Sequence, residues 1–89
     1  MPQSAKDAQL TVKAYSPFHI FYEGPALVVS AMNAVGPFDI LPGHIGFFAI
    51  LSVGDVVVDT GTSDDLVSFT ISNGIMSVRD DKVEIFVNI

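Results

Sequence analysis

The chain has 89 residues, 49% of them hydrophobic and only 16% charged, with ten acidic side chains against four basic ones and a net charge of −6. A chain this short buries only about two-thirds of its unfolded surface and has fewer charges than the usual share of about 25%, so exposed apolar patches of the kind that mark interfaces are expected. Lys6, Lys13, Arg79 and Lys82 do not cluster, which argues against a nucleic-acid partner; the absence of cysteine excludes a disulfide framework and a thiolate metal site; and no cationic-then-apolar start resembles a signal peptide.

Residues 1–9 are small and polar without periodicity and are expected to form a disordered lead-in to one domain over residues 10–89. Leu10, Val12 and Ala14 alternate with Thr11, Lys13 and Tyr15, the pattern of a half-buried strand that Ser16-Pro17 ends. Residues 19–23 read as a second short strand and Gly24-Pro25 as a turn. Residues 26–34 are apolar on both faces, with Leu27, Val29 and Ala31 on one side and Val28, Ser30 and Met32 on the other. A sheet with one face in water does not need that, so the outer side of this strand is expected to be covered or adhesive.

The stretch from Gly36 to Leu51 mixes turn residues into an apolar run. Pro37 and Pro42 each remove a backbone donor, and Gly36, Gly43 and Gly46 permit unusual backbone angles, so neither a helix nor a central strand is expected to cross it. The reading is a shaped loop carrying Phe38, Ile40, Leu41 and Ile45, followed by an apolar strand over residues 47–51. Because residues 40–53 are broken by Pro42, Gly43 and His44, this longest apolar tract is too short to span a bilayer. Further strands are expected at residues 55–59 and 66–71, joined by a polar hairpin loop at residues 61–65. Asn73-Gly74 reads as a two-residue hairpin turn, which needs positive φ at both central positions. Residues 75–78 then pair back, Arg79-Asp80-Asp81 turns again, and residues 82–88 close the chain with Val83, Ile85 and Val87 inward and Phe86 outward. No stretch shows helical periodicity. About eight to ten short antiparallel strands indicate an all-β fold, a small β-sandwich or flattened barrel.

The segment Gly-Pro-Phe-Asp-Ile-Leu-Pro-Gly-His at residues 36–44 resembles the Gly-Glu-x-Gly-Ile-Leu-Pro-Gly-His segment in the amino-terminal β-sandwich domain of the F-type ATP synthase epsilon subunit. Residues 10–17 resemble that family's first strand with its Ser-Pro ending. Val53-Gly54 stands where the family has Pro-Gly, and residues 69–87 resemble its two closing strands, with Ser72-Asn73-Gly74 in place of Ser-Gly-Gly. The likeness runs over roughly residues 9 to 88. It implies a non-catalytic component of the rotor, or central stalk, of a proton- or sodium-translocating ATP synthase, linking the gamma subunit to the c-ring. It also implies a peripheral position on the cytoplasmic side of an energy-transducing membrane, reached only through partners. Pro37, Phe38, Asp39, Leu41, Pro42, Gly43, His44 and Ile45 would face the c-ring, while Phe86, Leu27 and Val28 are candidates to face gamma. Pro37 stands where the family often has Glu, and Asp39 where it has Gly. At Ile89 the family continues into a two-helix carboxy-terminal domain that carries inhibition and, in some members, nucleotide binding, so neither is expected of this stretch, nor any cofactor.

Asp59-Thr60-Gly61-Thr62, preceded by three valines, supports an alternative: it resembles the signature of aspartic proteases, whose retroviral type is a homodimer of similar length. That chemistry needs two Asp59 carboxylates across a two-fold axis sharing a proton; the plain reading is a turn, where Asp, Thr and Gly are ordinary. A free-standing β-sandwich interaction module is a third reading. His19 and His44 lack metal-site spacing, and Asp64-Asp65 and Asp80-Asp81 fall in turns.

Overall fold

The computed structural model describes residues 9–43, 46–61 and 66–88, and among them it is built entirely of strands and their turns. Residues 1–8, His44, Ile45, residues 62–65 and Ile89 lie outside the described residues, and with them most of the expected lead-in and of the expected polar hairpin loop. The first alternation forms β1 (Leu10–Ser16), with Leu10, Val12 and Ala14 fully buried. It is followed by β2 (His19–Ala26), β3 (Val28–Asn33), β4 (Gly36–Ile40), β5 (Phe47–Leu51), β6 (Gly54–Asp59), β7 (Leu66–Ile71), β8 (Asn73–Arg79) and β9 (Lys82–Asn88).

The hydrogen-bonded order is β2-β1-β9-β8-β5-β3-β6-β7, with β4 added against β3. Every pairing is antiparallel except that of β1 with β9, which run parallel from Thr11 opposite Lys82 to Tyr15 opposite Phe86. The sheet folds over where β5 meets β3 through the single pair Asn33 and Leu51, which makes two layers, β2-β1-β9-β8-β5 and β4-β3-β6-β7. Between them lies one core, with Leu10, Ile40, Leu51, Met76 and Ile85 as its largest fully buried members. Aromatic rings bridge strands that do not pair. Phe21 of β2 stacks on Phe69 of β7 at 4.7 Å and 16°, joining the two ends of the strand order, and Phe38 of β4 meets Phe47 of β5 at 5.6 Å.

Three local expectations are corrected. Gly24-Pro25 is not a turn: both lie within β2, where Pro25 stands opposite Thr11. β2 is an edge strand with a ladder on one side only, which is where a sheet tolerates proline. The 36–45 stretch is not one loop either. Residues 36–40 form β4, also an edge strand, which holds Pro37 for the same reason. Finally, Asn73-Gly74 is no hairpin turn, because β7 pairs with β6 whereas β8 pairs with β5 and β9, so the chain passes between layers at Ser72. Position 74, paired with Leu51 and Val87, is a glycine for lack of space: a Cβ there would stand 2.7 Å from the Phe86 carbonyl oxygen. The turn with two positive φ angles is the other one, Asp80 at 50° and Asp81 at 63°, joining β8 to β9. Asp tolerates the left-handed region better than most residues with a side chain.

Candidate interaction surfaces

Alternation sends Val83, Ile85 and Val87 of β9 and Met76 and Val78 of β8 into the core, so Phe86 and Ile75 must point the other way. Register then assembles a row. Ile20 stands opposite Tyr15, Tyr15 opposite Phe86, Phe86 opposite Ile75, and Ile75 opposite Ile50, one residue from each of β2, β1, β9, β8 and β5. At about 4.8 Å between strands the row is about 19 Å long. Ile50 is 71% exposed and Ile20 53%. Tyr15 and Phe86 meet edge-to-face at 5.3 Å. Below Phe86 and Ile75, Pro17, Asn73 and Asn88 help to enclose a groove of about 400 Å³.

The neighbouring row two residues along is Lys13, Glu84, Ser77 and Phe48, polar except at its β5 end. It is tied to the apolar row by the Tyr15 hydroxyl, which donates to Glu84 Oε2 at 2.6 Å, and by Lys13 Nζ, 4.9 Å above the Tyr15 ring. That hydrogen bond, with some desolvation and the Glu84 charge, raises the Tyr15 phenol above its ordinary pKa.

The two ends of the sandwich differ. Asn33, Leu51, Gly74 and Val87 are successive cross-strand partners, so the β1–β2, β3–β4 and β5–β6 turns lie at one end. Their tips expose Phe18 at 97%, Val35 at 96% and Val53 at 68%. The β3–β4 tip is shaped by Asn33, whose Oδ1 accepts the Val35 N–H at 2.8 Å and the Gly36 N–H at 3.1 Å. At the opposite end the Leu41-Pro42-Gly43 turn is held by Asp81, whose Oδ1 accepts the Gly43 N–H at 2.8 Å.

This geometry redistributes the residues singled out in the sequence. Pro37 lies in β4 next to the Val35 tip and Phe38 at the centre of that strand, whereas Leu41, Pro42 and Gly43 follow its far end. Asp39 accepts from Ser30 Oγ at 2.6 Å. Phe86 gains Tyr15, Ile75, Ile50 and Ile20 as company, which the one-strand reading missed. The missing signal is long-range: each is an apolar residue at an outward alternation position, but only strand order lines them up. Leu27 and Val28 do not join Phe86. Leu27 immediately precedes β3 and Val28 opens it, in the other layer; both are half-buried, with Leu27 packed over Gly61.

Asp59 is the last residue of β6, opposite Val28 and Leu66, its Oδ1 accepting the Gly61 N–H at 2.9 Å while its carbonyl accepts the Leu27 N–H at 2.8 Å. The carboxylate thus has a local backbone task, and the aspartic protease reading finds no support. Among the described residues no three His, Asp or Glu side chains gather as a metal site, and no helix is long and apolar enough to cross a membrane.

Comparison with known proteins gives a consistent family. The model of the ATP synthase delta/epsilon chain β-sandwich domain matches residues 9–89. The ATP synthase epsilon chain of Halalkalibacterium halodurans is 40% identical over 76 residues, covering 85% of this chain and 56% of that one. That of Anoxybacillus flavithermus is 36% identical over 76 residues, covering 85% and 55%. For the epsilon chain of Micrococcus luteus the figures are 38% over 78 residues, 88% and 85%. The chain therefore spans little more than half the length of the first two relatives. Among solved structures, a chain of the Euglena gracilis mitochondrial ATP synthase, determined with OSCP, F1 and c-ring, is similar with a TM-score of 0.80 and 21% identity, covering 90% of this chain and 51% of that one. A chain from the central stalk and c-ring of the Tetrahymena thermophila enzyme gives 0.74 and 15%, covering 90% and 63%. At those identities the likeness is one of fold.

Proposed function

The chain belongs to the family of ATP synthase delta/epsilon chain β-sandwich domains, and on that premise we propose that it is a non-catalytic part of the rotating central stalk of an F-type ATP synthase. It works mechanically, as a stiff wedge between the gamma subunit and the c-ring. The observation that carries this reading is the apolar row across β2, β1, β9, β8 and β5, a broad face that supports a lasting contact with gamma. Transmission of torque needs a second contact with the ring. Of the 37–45 stretch we assign that contact to the Pro37 side, at the end where Phe18, Val35 and Val53 stand exposed. Leu41, Pro42 and Gly43 shape the opposite turn, already engaged by Asp81. The chain is peripheral, on the cytoplasmic side of the membrane, and meets the bilayer only through its partners.

The test is co-purification of the chain with gamma and c-ring from its own organism. Ile50→Asp is expected to weaken gamma binding by about tenfold or more, the loss of one well-placed apolar contact. Val35→Asp should weaken ring association, and Pro42→Ala should leave it intact. A folded chain that binds neither partner overturns the reading; loss of ring binding in the Pro42 variant alone transfers the ring contact to the Gly43 end.

A further inference from the structure

Asn73-Gly74 has no turn to make, yet it carries a chemistry of its own. A glycine presents the least hindered backbone nitrogen that can follow an asparagine. When that nitrogen loses its proton and attacks the Asn73 side-chain carbonyl carbon, ammonia leaves and a five-membered imide forms. Water then opens the imide at either carbonyl, leaving Asp or isoAsp at position 73. No oxidant or cofactor is needed. The chain has three asparagines, and the other two precede Ala34 and Ile89, whose side chains obstruct the attack.

The fold opposes the reaction. Asn73 is exposed, so water reaches it, but it is the first residue of β8 and stands opposite Asn88. Strand geometry, with ψ near about +135°, turns the following nitrogen away from the side chain. Gly74 is buried and paired on both sides, with Leu51 and with Val87. The Phe86 carbonyl, 2.7 Å from where a Gly74 Cβ would be, leaves the backbone little room to swing into the attacking geometry. The adjoining Ser72 N–H donates to the Asn88 carbonyl at 2.8 Å, which pins the chain just before the site.

We infer that Asn73-Gly74 is a latent site of spontaneous deamidation, held shut by the pairing of β8 with β5 and β9 and opened only when the start of β8 frays. Either product would matter where it stands, because Asn73 lines the apolar groove with Pro17, Ile50, Ile75 and Phe86. Asp at position 73 sets a carboxylate on the rim of that groove. IsoAsp also adds a methylene to the main chain, so the pair with Asn88 and the pairs beyond it cannot both keep register. Conversion is thus a one-way mark on molecules that have opened at this seam.

The whole chain is incubated at mildly alkaline pH, native in one arm and unfolded in urea in the other. Peptide mapping follows the gain of about 1 Da that replacing an amide by an acid brings, and separates Asp from isoAsp. The unfolded chain is expected to convert at position 73 ahead of Asn33 and Asn88, and the native chain at least about tenfold more slowly, since opening a paired strand costs more than about 1.4 kcal/mol. Asn73→Ser should fold normally and abolish the fast site. Equal rates in the native and unfolded arms overturn the protection, and an unfolded chain that converts first at Asn33 or Asn88 overturns the site.

Discussion

Single residues in this protein are best understood by what stands opposite them. Gly74 is glycine for lack of room: the Gly74→Ala methyl meets a backbone oxygen at 2.7 Å, and a backbone atom cannot rotate away. Overpacking of this kind costs about 1–3 kcal/mol, and urea unfolding of Gly74→Ala should show a loss in that range. Asp80 and Asp81 have the reverse problem, room without a suitable backbone preference. Asp80→Gly removes the penalty of a left-handed side chain and should stabilise by about 0.5–1 kcal/mol, whereas Asp81→Gly also loses the hold on Gly43. Tyr15 gives a pH signature. Its phenol is raised above the usual value chiefly by the hydrogen bond to Glu84. A group raised on folding contributes stability in full below its unfolded pKa and loses it as pH climbs through the folded one, so the loss falls on the alkaline side of pH 10.0. Absorbance titration in a Tyr22→Phe background should place Tyr15 above free tyrosine, and Glu84→Gln should bring it back down.

At the scale of elements, the sandwich is closed by rings as well as hydrogen bonds. β2 and β7 end the strand order, and what joins them is the Phe21 and Phe69 stack, extended by His19 edge-on to Phe21 at 4.7 Å. Stacked aromatic pairs contribute about 0.5–1.5 kcal/mol beyond their buried area. A double-mutant cycle of Phe21→Leu and Phe69→Leu should return a coupling energy in that range; additivity within about 0.3 kcal/mol would mean the seam is held by area alone. The two proline corrections also belong here. A proline in a strand-like run signals a turn when read alone, but β2 and β4 are edge strands, and edge status depends on which strands lie alongside.

At the scale of the molecule, folding and the proposed docking to gamma would draw on different residues of the same strands. The inward set of β8 and β9 makes the core, and the outward set makes the apolar row. A substitution at the most exposed member of that row, Ile50→Asp, should change the unfolding free energy by no more than about 0.5 kcal/mol while lowering gamma binding. Parallel denaturation and binding measurements check this separation, and equal loss in both would show that the row is structural.

The sequence by itself determined the all-β class, the family likeness and the faces of the strands. Val83, Ile85, Val87, Leu10, Val12 and Ala14 were legible as inward because alternation is a local property, written into neighbouring residues. Which strands become neighbours is not local. That β7 and β8 part company at Ser72, that β1 runs parallel to β9, and that Ile20, Tyr15, Phe86, Ile75 and Ile50 share one row all depend on pairings between segments far apart in the chain. Asn73-Gly74 shows the limit most plainly. The dipeptide suits a tight turn, and packing under the Phe86 carbonyl outweighed that local preference.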